Sequence, residues 1–445
     1  MAPARPRWRT ARSRATSDAR PDASQEQPLM ALAQADLLRL ATAGSVDDGK
    51  STLIGRLLFD AKQVLTDQLE HVEEASRRRG GNGDVDLSLL VDGLRAEREQ
   101  GITIDVAYRY FATARRSFIV ADTPGHVQYT RNMVTGASTA DLSVILVDAR
   151  KGVLEQSKRH AYISALLGIP HLVVAVNKMD LVDHDEEVFD AIVRDFSAFA
   201  GGLGARDIVY IPISAKHGDN VVERSANMPW YGGPPLLAYL ETVKVADDRN
   251  LEQARFPVQW VIRDHEADYR GYAGQIAGGW LRAGEEVLVL PSQKITRIAR
   301  IDTFDGPLEE ACAGMSVTLL LEDEIDISRG DILCHPGDAP QLARELEATV
   351  CWMAEIPLRP GARYAIKHAT HAARVVVDEI VDHVDVHTLE PDAGASELGL
   401  NEIGRVRLRS SKPMAFDSYA QNRATGSFIL IDETTNDTVG AGMIR

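Results

Sequence analysis

The chain has 445 residues, with 49 Lys+Arg against 65 Asp+Glu for a formal net charge of −16, 44% hydrophobic and 26% charged residues. This composition excludes a disordered, collagen-like or disulfide-scaffold chain, and at roughly 150 residues per domain the length predicts about two to four domains. No apolar run approaches the roughly 20 residues of a membrane-spanning helix, and the acidic excess argues against a general nucleic-acid-binding surface, which needs Lys and Arg to neutralise phosphate.

The first thirty residues run against the whole. Arg5, Arg7, Arg9, Arg12, Arg14 and Arg20 face only Asp18, Asp22 and Glu26, a net +3 that leaves −19 on the remainder. With no apolar h-region this is not a secretory signal. Residues 1–35 read as a disordered Arg-rich tail; an organellar transit peptide and a true start at Met30 are the other readings.

From 36 to 245 short apolar runs (37–43, 117–121, 142–147, 171–176, 208–212) alternate with helical periodicity, clearest at 51–58, 157–167 and 186–199. Strands alternating with helices predict an α/β domain around a mostly parallel sheet covered on both faces. Residues 77–86, with Gly80, Gly81 and Gly83, read as a mobile loop. Beyond 245 the pattern changes to short β-branched runs separated by glycines: 257–262, 286–290, 295–301 and 316–321. After a break at 336–343 come 373–380, 404–409, 427–432 and 438–443. The expected architecture is multidomain: an α/β P-loop domain at 36–245, then two all-β barrel domains at 253–340 and 345–445. Cys312, Cys334 and Cys351 lie far apart with no CxxC spacing, fit a reducing compartment, and read as buried small hydrophobes.

Gly44-Ser45-Val46-Asp47-Asp48-Gly49-Lys50-Ser51 matches GxxxxGK[ST] and sits between an apolar strand and a helix that continues through Thr52. Glycines let backbone N–H groups turn inward around a β-phosphate, and the helix N-terminus adds positive dipole. Lys50 would contact the β- and γ-phosphates, and the Ser51 hydroxyl would ligate Mg²⁺. Asp122-Thr123-Pro124-Gly125 ends the 117–121 strand. Asp122 would reach Mg²⁺ through a water, and the Gly125 N–H can approach the γ-phosphate. Upstream, Arg98-Glu99-Gln100-Gly101-Ile102-Thr103-Ile104 supplies Thr103, whose hydroxyl would complete the metal shell only when a γ-phosphate is present; these two loops read as switch elements.

The base is identified by Asn177-Lys178-Met179-Asp180, at the C-terminus of the 171–176 strand, where open α/β sheets bind ligands. The Asp180 carboxylate can accept from guanine N1–H and N2–H₂ together, a donor pair adenine lacks. Asn177 would tie the loop together and the Lys178 stem would cover the base. Ser214-Ala215-Lys216 follows another strand and can offer a backbone N–H to guanine O6. Five elements in this order indicate GTP as the nucleotide and hydrolysis as the reaction.

His126 follows Gly125 directly. Together with residues 98–104 this resembles the translation-factor GTPases, elongation factor Tu and elongation factor 1A, which share a nucleotide domain followed by two β-barrels. By that resemblance His126 would orient the attacking water, while Val46 and Ile102 would form an apolar gate that holds it aside. The match sharpens at 44–60, 90–111, 126–141, 227–234, 268–274, 323–331, 400–404 and 427–443. These segments resemble the large subunits of bacterial sulfate adenylyltransferases over about residues 36–445. A departure is the Ala-Thr-Ala-Gly at 41–44, where those proteins often carry Cys before the glycine.

The resemblance implies a division of labour: a small ATP-binding subunit forms adenylyl sulfate and pyrophosphate from ATP and sulfate, and this chain hydrolyses GTP to drive that transfer, as a cytoplasmic heterodimer in cysteine biosynthesis. No nucleic-acid or membrane partner is expected. An RNA-binding translation or ribosome-rescue factor fits the nucleotide residues equally well; residues 227–234 and 400–443, and the lack of a basic stripe on the β domains, favour the sulfate family. A regulatory switch without turnover is disfavoured by His126 and Thr103. No second GxxxxGK[ST] precedes Arg445, so a fused adenylyl-sulfate kinase is not expected. His368-Ala-Thr-His371 is expected to be structural, because residues i and i+3 on one strand face opposite ways.

Overall fold

The computed structural model describes residues 37–61, 87–91, 105–126, 129–203, 207–245, 250–264, 269–384, 391–392 and 394–445. The tail, the 77–86 loop, Ile102 and Thr103 lie outside them.

The N-terminal unit is a six-stranded sheet of β1 (Leu37–Ala43), β2 (Ala107–Ala112), β3 (Ser117–Asp122), β4 (Leu142–Asp148), β5 (His171–Asn177) and β6 (Asp207–Pro212), in the order β2-β3-β1-β4-β5-β6. All neighbours are parallel except β2 with β3. Every residue of β4 is buried, as a central strand covered on both faces requires. Its alternation divides two cores. Ile145 and Val147 join one with Met133 of α2 (Thr130–Ala137), Ile163 of α3 (Glu155–Leu166) and Phe196 of α4 (Glu186–Ala200). Val144 and Leu146 join the other with Leu53 and Leu57 of α1 (Lys50–Asp60) and Leu240 of α5 (Leu236–Thr242). The loops that carry the motifs expected to bind a nucleotide leave the C-terminal ends of β1, β3, β5 and β6, so the sheet fixes them on one edge.

The second unit runs from β7 (Arg255–Pro257) and β8 (Trp260–Asp264) through β9 (Tyr269–Gln275), β10 (Trp280–Arg282), β11 (Glu286–Leu290), β12 (Lys294–Thr303), β13 (Gly306–Leu308), β14 (Glu310–Cys312) and β15 (Ser316–Leu321) to β16 (Ile332–Cys334). The main sheet has the order β7-β16-β11-β12-β15-β9-β8, with β13 beside β12 and β10 paired with β14. The single run expected at 257–262 is split. Val258 donates its N–H to Asp331 O while Gln259 donates to Ala273 O, 2.8 and 2.9 Å away. The chain bends there and joins the two ends of the sheet. The barrel is thus closed by the covalent chain rather than by a last ladder.

The third unit is a six-stranded barrel: β17 (Gln341–Trp352), β18 (Arg363–His368), β19 (His371–Val384), β21 (Ile403–Phe416), β22 (Ser427–Ile431) and β23 (Thr438–Ile444), closed by the β18–β19 pairing, with the short β20 (Pro391–Asp392) beside β19. β17 begins inside the break expected at 336–343. His368 and His371 do not face opposite ways along one strand, as expected. A two-residue turn through Ala369 (φ 45°) makes them directly paired across a hairpin. His368 is buried, with its Nε2 2.8 Å from Thr425 O. All three cysteines are buried and none forms a disulfide; burial pushes the Cys351 thiol up to about 12.

The units are tied by buried polar contacts. Arg255 is 1% exposed and meets both Asp417 carboxylate oxygens at 2.8 Å; Asp417 also accepts from the Thr425 hydroxyl at 2.6 Å. Removing one partner of a buried pair leaves an uncompensated charge, at a cost of about 3–5 kcal/mol. Arg255→Ala is therefore expected to lower the thermal unfolding temperature clearly, and Arg255→Met/Asp417→Leu to recover most of the loss. An unchanged calorimetric trace for Arg255→Ala would show that the pair does not hold the two barrels together.

Candidate functional site

The phosphate loop turns through Gly44 (φ 154°), Asp47 (φ 69°) and Gly49 (φ 97°) before α1 begins at Lys50. Glycine is required at 49: a Cβ there would lie 2.4 Å from Asn177 Nδ2. Within the loop the Ser45 N–H donates to Asp48 Oδ2 at 2.7 Å. Asp48 is buried, which pushes its carboxyl upward. Asp48 Oδ1 and Ser45 Oγ are buried atoms without a hydrogen-bond partner. Ser51 and Thr52 are half-buried in the first turn of α1, Val46 is half-buried and Asp47 exposed.

Lys50 is 7% exposed and donates to Gly44 O and Ser45 O at 2.8 and 2.9 Å. Burial pushes its ammonium downward, against the pull of Asp122, Asp48 and Asp47. Asp122 is buried and accepts from the Thr42 hydroxyl at 3.3 Å; the Thr123 hydroxyl donates to Thr42 O at 2.6 Å. Pro124 and Gly125 are buried too. The Gly125 backbone lies against the loop so closely that a Cβ would stand 2.3 Å from Gly44 O and 2.6 Å from Lys50 Nζ. His126 is exposed, its ring 6.0 Å from that of Tyr129.

The base side is organised by Asn177. Its Nδ2 donates to Asp48 O at 2.7 Å and its Oδ1 accepts from Ala215 N at 2.9 Å, so one carboxamide joins three loops. Of the backbone N–H groups in the 214–216 run expected to be able to serve guanine O6, that of Ala215 is directed to Asn177 here. Lys178 is left-handed (φ 65°), Met179 and Ser214 are buried, and Lys216 is exposed. The Asp180 carboxylate lies 3.6 Å from His217 Nε2. The structure thus gathers Gly44–Thr52, Asp122–Gly125, Asn177–Asp180 and Ser214–Lys216 along one sheet edge. Ser51 and Asp122 are the described residues available to hold a divalent cation, and the buried lysine, inward-turned loop and orphaned Ser45 hydroxyl fit a phosphate ligand.

Three residues of this site are invisible as motifs. Arg56 of α1 donates Nε to Ala215 O at 3.3 Å and also bonds Lys216 O, supporting the 214–216 loop from below. Gln156 of α3 donates to Gly125 O at 3.1 Å, and its Nε2 lies 3.1 Å from His160 Nε2 one turn further on. The i, i+4 spacing of Gln156 and His160 was the available signal. Burial, then the charges of Lys50 and Arg159, push His160 down to about 3.

Family comparisons extend this picture. Residues 35–254 match the elongation factor Tu GTP binding domain, and 345–445 match the GTP-eEF1A C-terminal domain-like family. A sulfate adenylyltransferase subunit 1 from Bacteroides fragilis is 54% identical over 412 residues, covering 92% of this chain and 86% of that one. Its counterpart from Citrobacter koseri is 55% identical over 411 residues, with the same coverage of both chains. The chain belongs to the sulfate adenylyltransferase subunit 1 family. A bifunctional enzyme CysN/CysC of Mycobacterium tuberculosis is 58% identical over 412 residues, covering 92% of this chain and 67% of that protein. The family is an enzyme family with a GTP-binding domain, and no helix among the described residues is long and apolar enough to cross a membrane.

Two outcomes follow from the geometry. Gly49→Ala places a methyl against the Asn177 carboxamide and is expected to weaken GDP binding at least about tenfold, since a buried hydrogen bond and a left-handed turn are lost together; titration calorimetry would read it. His160 has a folded-state value near 3 against an ordinary value of 6.5. Its contribution to stability is present above about pH 6.5 and is lost as the pH falls through that value toward 3, because the unfolded chain takes up the proton first. Between pH 7 and 5.5 the wild type should lose about 1 kcal/mol more than His160→Gln. Parallel pH–stability curves would rule this out.

Proposed function

We propose that the chain is the GTP-hydrolysing large subunit of a cytoplasmic sulfate adenylyltransferase, assembled as a heterodimer with a small ATP-binding subunit and serving sulfate assimilation and cysteine biosynthesis. ATP and sulfate become adenylyl sulfate and pyrophosphate on the small subunit. This chain converts GTP and water to GDP and phosphate, and the hydrolysis drives the unfavourable adenylyl transfer. The observation that carries the reading is similarity across nearly the whole chain at over 50% identity, far beyond the nucleotide loops that any GTP-binding protein would share.

In this reading Lys50 leaves the Gly44 and Ser45 carbonyls and turns its ammonium to the β- and γ-phosphates, a rearrangement within the reach of its four-carbon stem. The N–H groups of 44–50 and the start of α1 hold the β-phosphate. Mg²⁺, when bound, supplies charge neutralisation between the phosphates; Ser51, Asp122 and Thr103 would hold it. Asp180 accepts from the guanine N1–H and N2–H₂, with Asn177 keeping the base loop joined to the phosphate loop. Gly125 must move off Gly44 O to admit a γ-phosphate, and that displacement brings the adjoining His126 toward the attacking water. Formation of the adenylyl-transfer complex on the partner completes this movement, so turnover is gated by the partner.

Mixing the purified chain with its small subunit and following phosphate and adenylyl sulfate together tests the coupling. GTP turnover is expected to rise when partner, ATP and sulfate are all present; turnover indifferent to them would refute it. In the same assay His126→Ala should retain GTP binding while losing hydrolysis by about 10²-fold or more, the usual scale for a proton-handling or water-orienting residue. Asp180→Asn should relax the preference for guanine over other bases.

A further inference from the structure

Asp148 closes β4 directly beside Asn177, its register partner at the end of β5. Its carboxylate is fully buried, and both oxygens are taken. Oδ1 accepts from Arg150 Nε and the Arg150 backbone N–H, each at 3.0 Å; Oδ2 accepts from Arg150 Nη2 at 2.7 Å and Lys178 Nζ at 2.9 Å. Burial alone would raise this carboxyl, but the bonds from Arg150 and Lys178 overcome it and hold the group well below the ordinary carboxylate range. Lys178 Nζ also donates to the Asp47 carbonyl of the phosphate loop. The ammonium is therefore pinned at two points, the end of β4 and the phosphate loop.

The backbone gives a reason for the second anchor. Lys178 adopts a left-handed conformation (φ 65°, ψ 35°) that is strained for a residue with a Cβ and persists only where the surroundings fix it. A long lysine stem tethered only to a loop carbonyl would keep much of its rotamer freedom, which costs binding energy when a ligand must order it. A buried carboxylate on the rigid sheet removes that freedom before the ligand arrives.

We propose that Asp148 is a positioning residue for guanine-nucleotide binding: it clamps the Lys178 ammonium between itself and Asp47 O, so that the lysine stem is held as a preformed roof over the base. This rests on the guanine reading of the site given above. Arg150 supports the clamp by filling Oδ1 and sharing Oδ2 with Lys178, which holds the buried carboxylate in its ionised form.

Dissociation of N-methylanthraniloyl-GDP from the full chain, chased with excess GDP, tests it in a double-mutant cycle of Asp148→Asn and Lys178→Met. Loss of a charge-assisted bond predicts about tenfold faster release in Asp148→Asn, but within about twofold of the background when Asp148→Asn is added to Lys178→Met. Asp148→Ser serves in both backgrounds if the asparagine variant does not fold, with the same expectation. Unchanged release in the single variant, or equal acceleration in both backgrounds, overturns the positioning role. A wild-type chain that retains GDP no better than ADP would overturn the guanine reading as well; tight GDP retention without coupling overturns this inference alone.

Discussion

The Asn177 carboxamide is the interaction on which the nucleotide site depends. One amide group donates to Asp48 O and accepts from Ala215 N, joining the loops that follow β1 and β6 to the end of β5. Both bonds are buried, so breaking either would leave a desolvated polar group without a partner, and the whole edge would loosen at once. The demand propagates outward. Gly49 must be glycine because its missing Cβ is where Asn177 Nδ2 sits. The left-handed turn at 49 then starts α1 with Lys50 already folded back beneath the loop. A single side chain at the end of a largely buried strand thus sets the distance between the phosphate loop and the 214–216 loop.

A second constraint reaches beyond this domain. One hydrophobic core contains Ile145, Val147 and Ile163 of the nucleotide domain together with Cys351, Met353, Ile403 and Met443 of the last barrel. Polar contacts lie around it: Tyr419 donates to Leu167 O at 2.7 Å, Arg423 to Ser138 O at 2.9 Å, and Arg159 to Asn401 O at 2.9 Å. Helix α3 is the element shared by both sides. Its Arg159 meets the barrel, and its Gln156 holds the Gly125 carbonyl beside the phosphate loop. In the proposed mechanism, the glycine that moves when a third phosphate enters is thereby bonded to a helix that is packed against another domain.

Much of this was legible in the sequence because its chemistry is local. The phosphate loop, Asp122–Gly125, Asn177–Asp180 and Ser214–Lys216 are short runs whose residue types state their task, and each follows a strand recognisable by its apolar character. The α/β-then-β-barrels layout is equally legible, since the change from 3.6-residue to two-residue periodicity near 245 is a backbone requirement. Features made by contacts distant in sequence were not. Arg56 supports a loop some 160 positions away, and Arg255 pairs with Asp417 across 162. The His368/His371 pair was misjudged because residues three apart on a strand and residues three apart across a two-residue turn have opposite facing rules. The 257–262 run was misjudged because the apolar pattern was carried straight through Pro257, where β7 ends and the barrel seam bends before β8 starts at Trp260.

The charge of the chain takes on a different meaning at the site. A −16 protein binding a nucleotide triphosphate would be repelled if net charge governed, but the decisive fields are short-ranged. Around the phosphate loop three buried carboxylates are committed inward, while Asp47 is exposed. Asp48 is spent on Ser45 N–H, Asp122 accepts from Thr42, and Asp148 is saturated by Arg150 and Lys178. Beside them stand the fixed donors of the edge: Lys50, Lys178 and the start of α1. Acidic residues here build the positively polarised cradle by fixing the donors and cations that make it, and the ordering of those donors, more than their number, makes the site receptive to an anion.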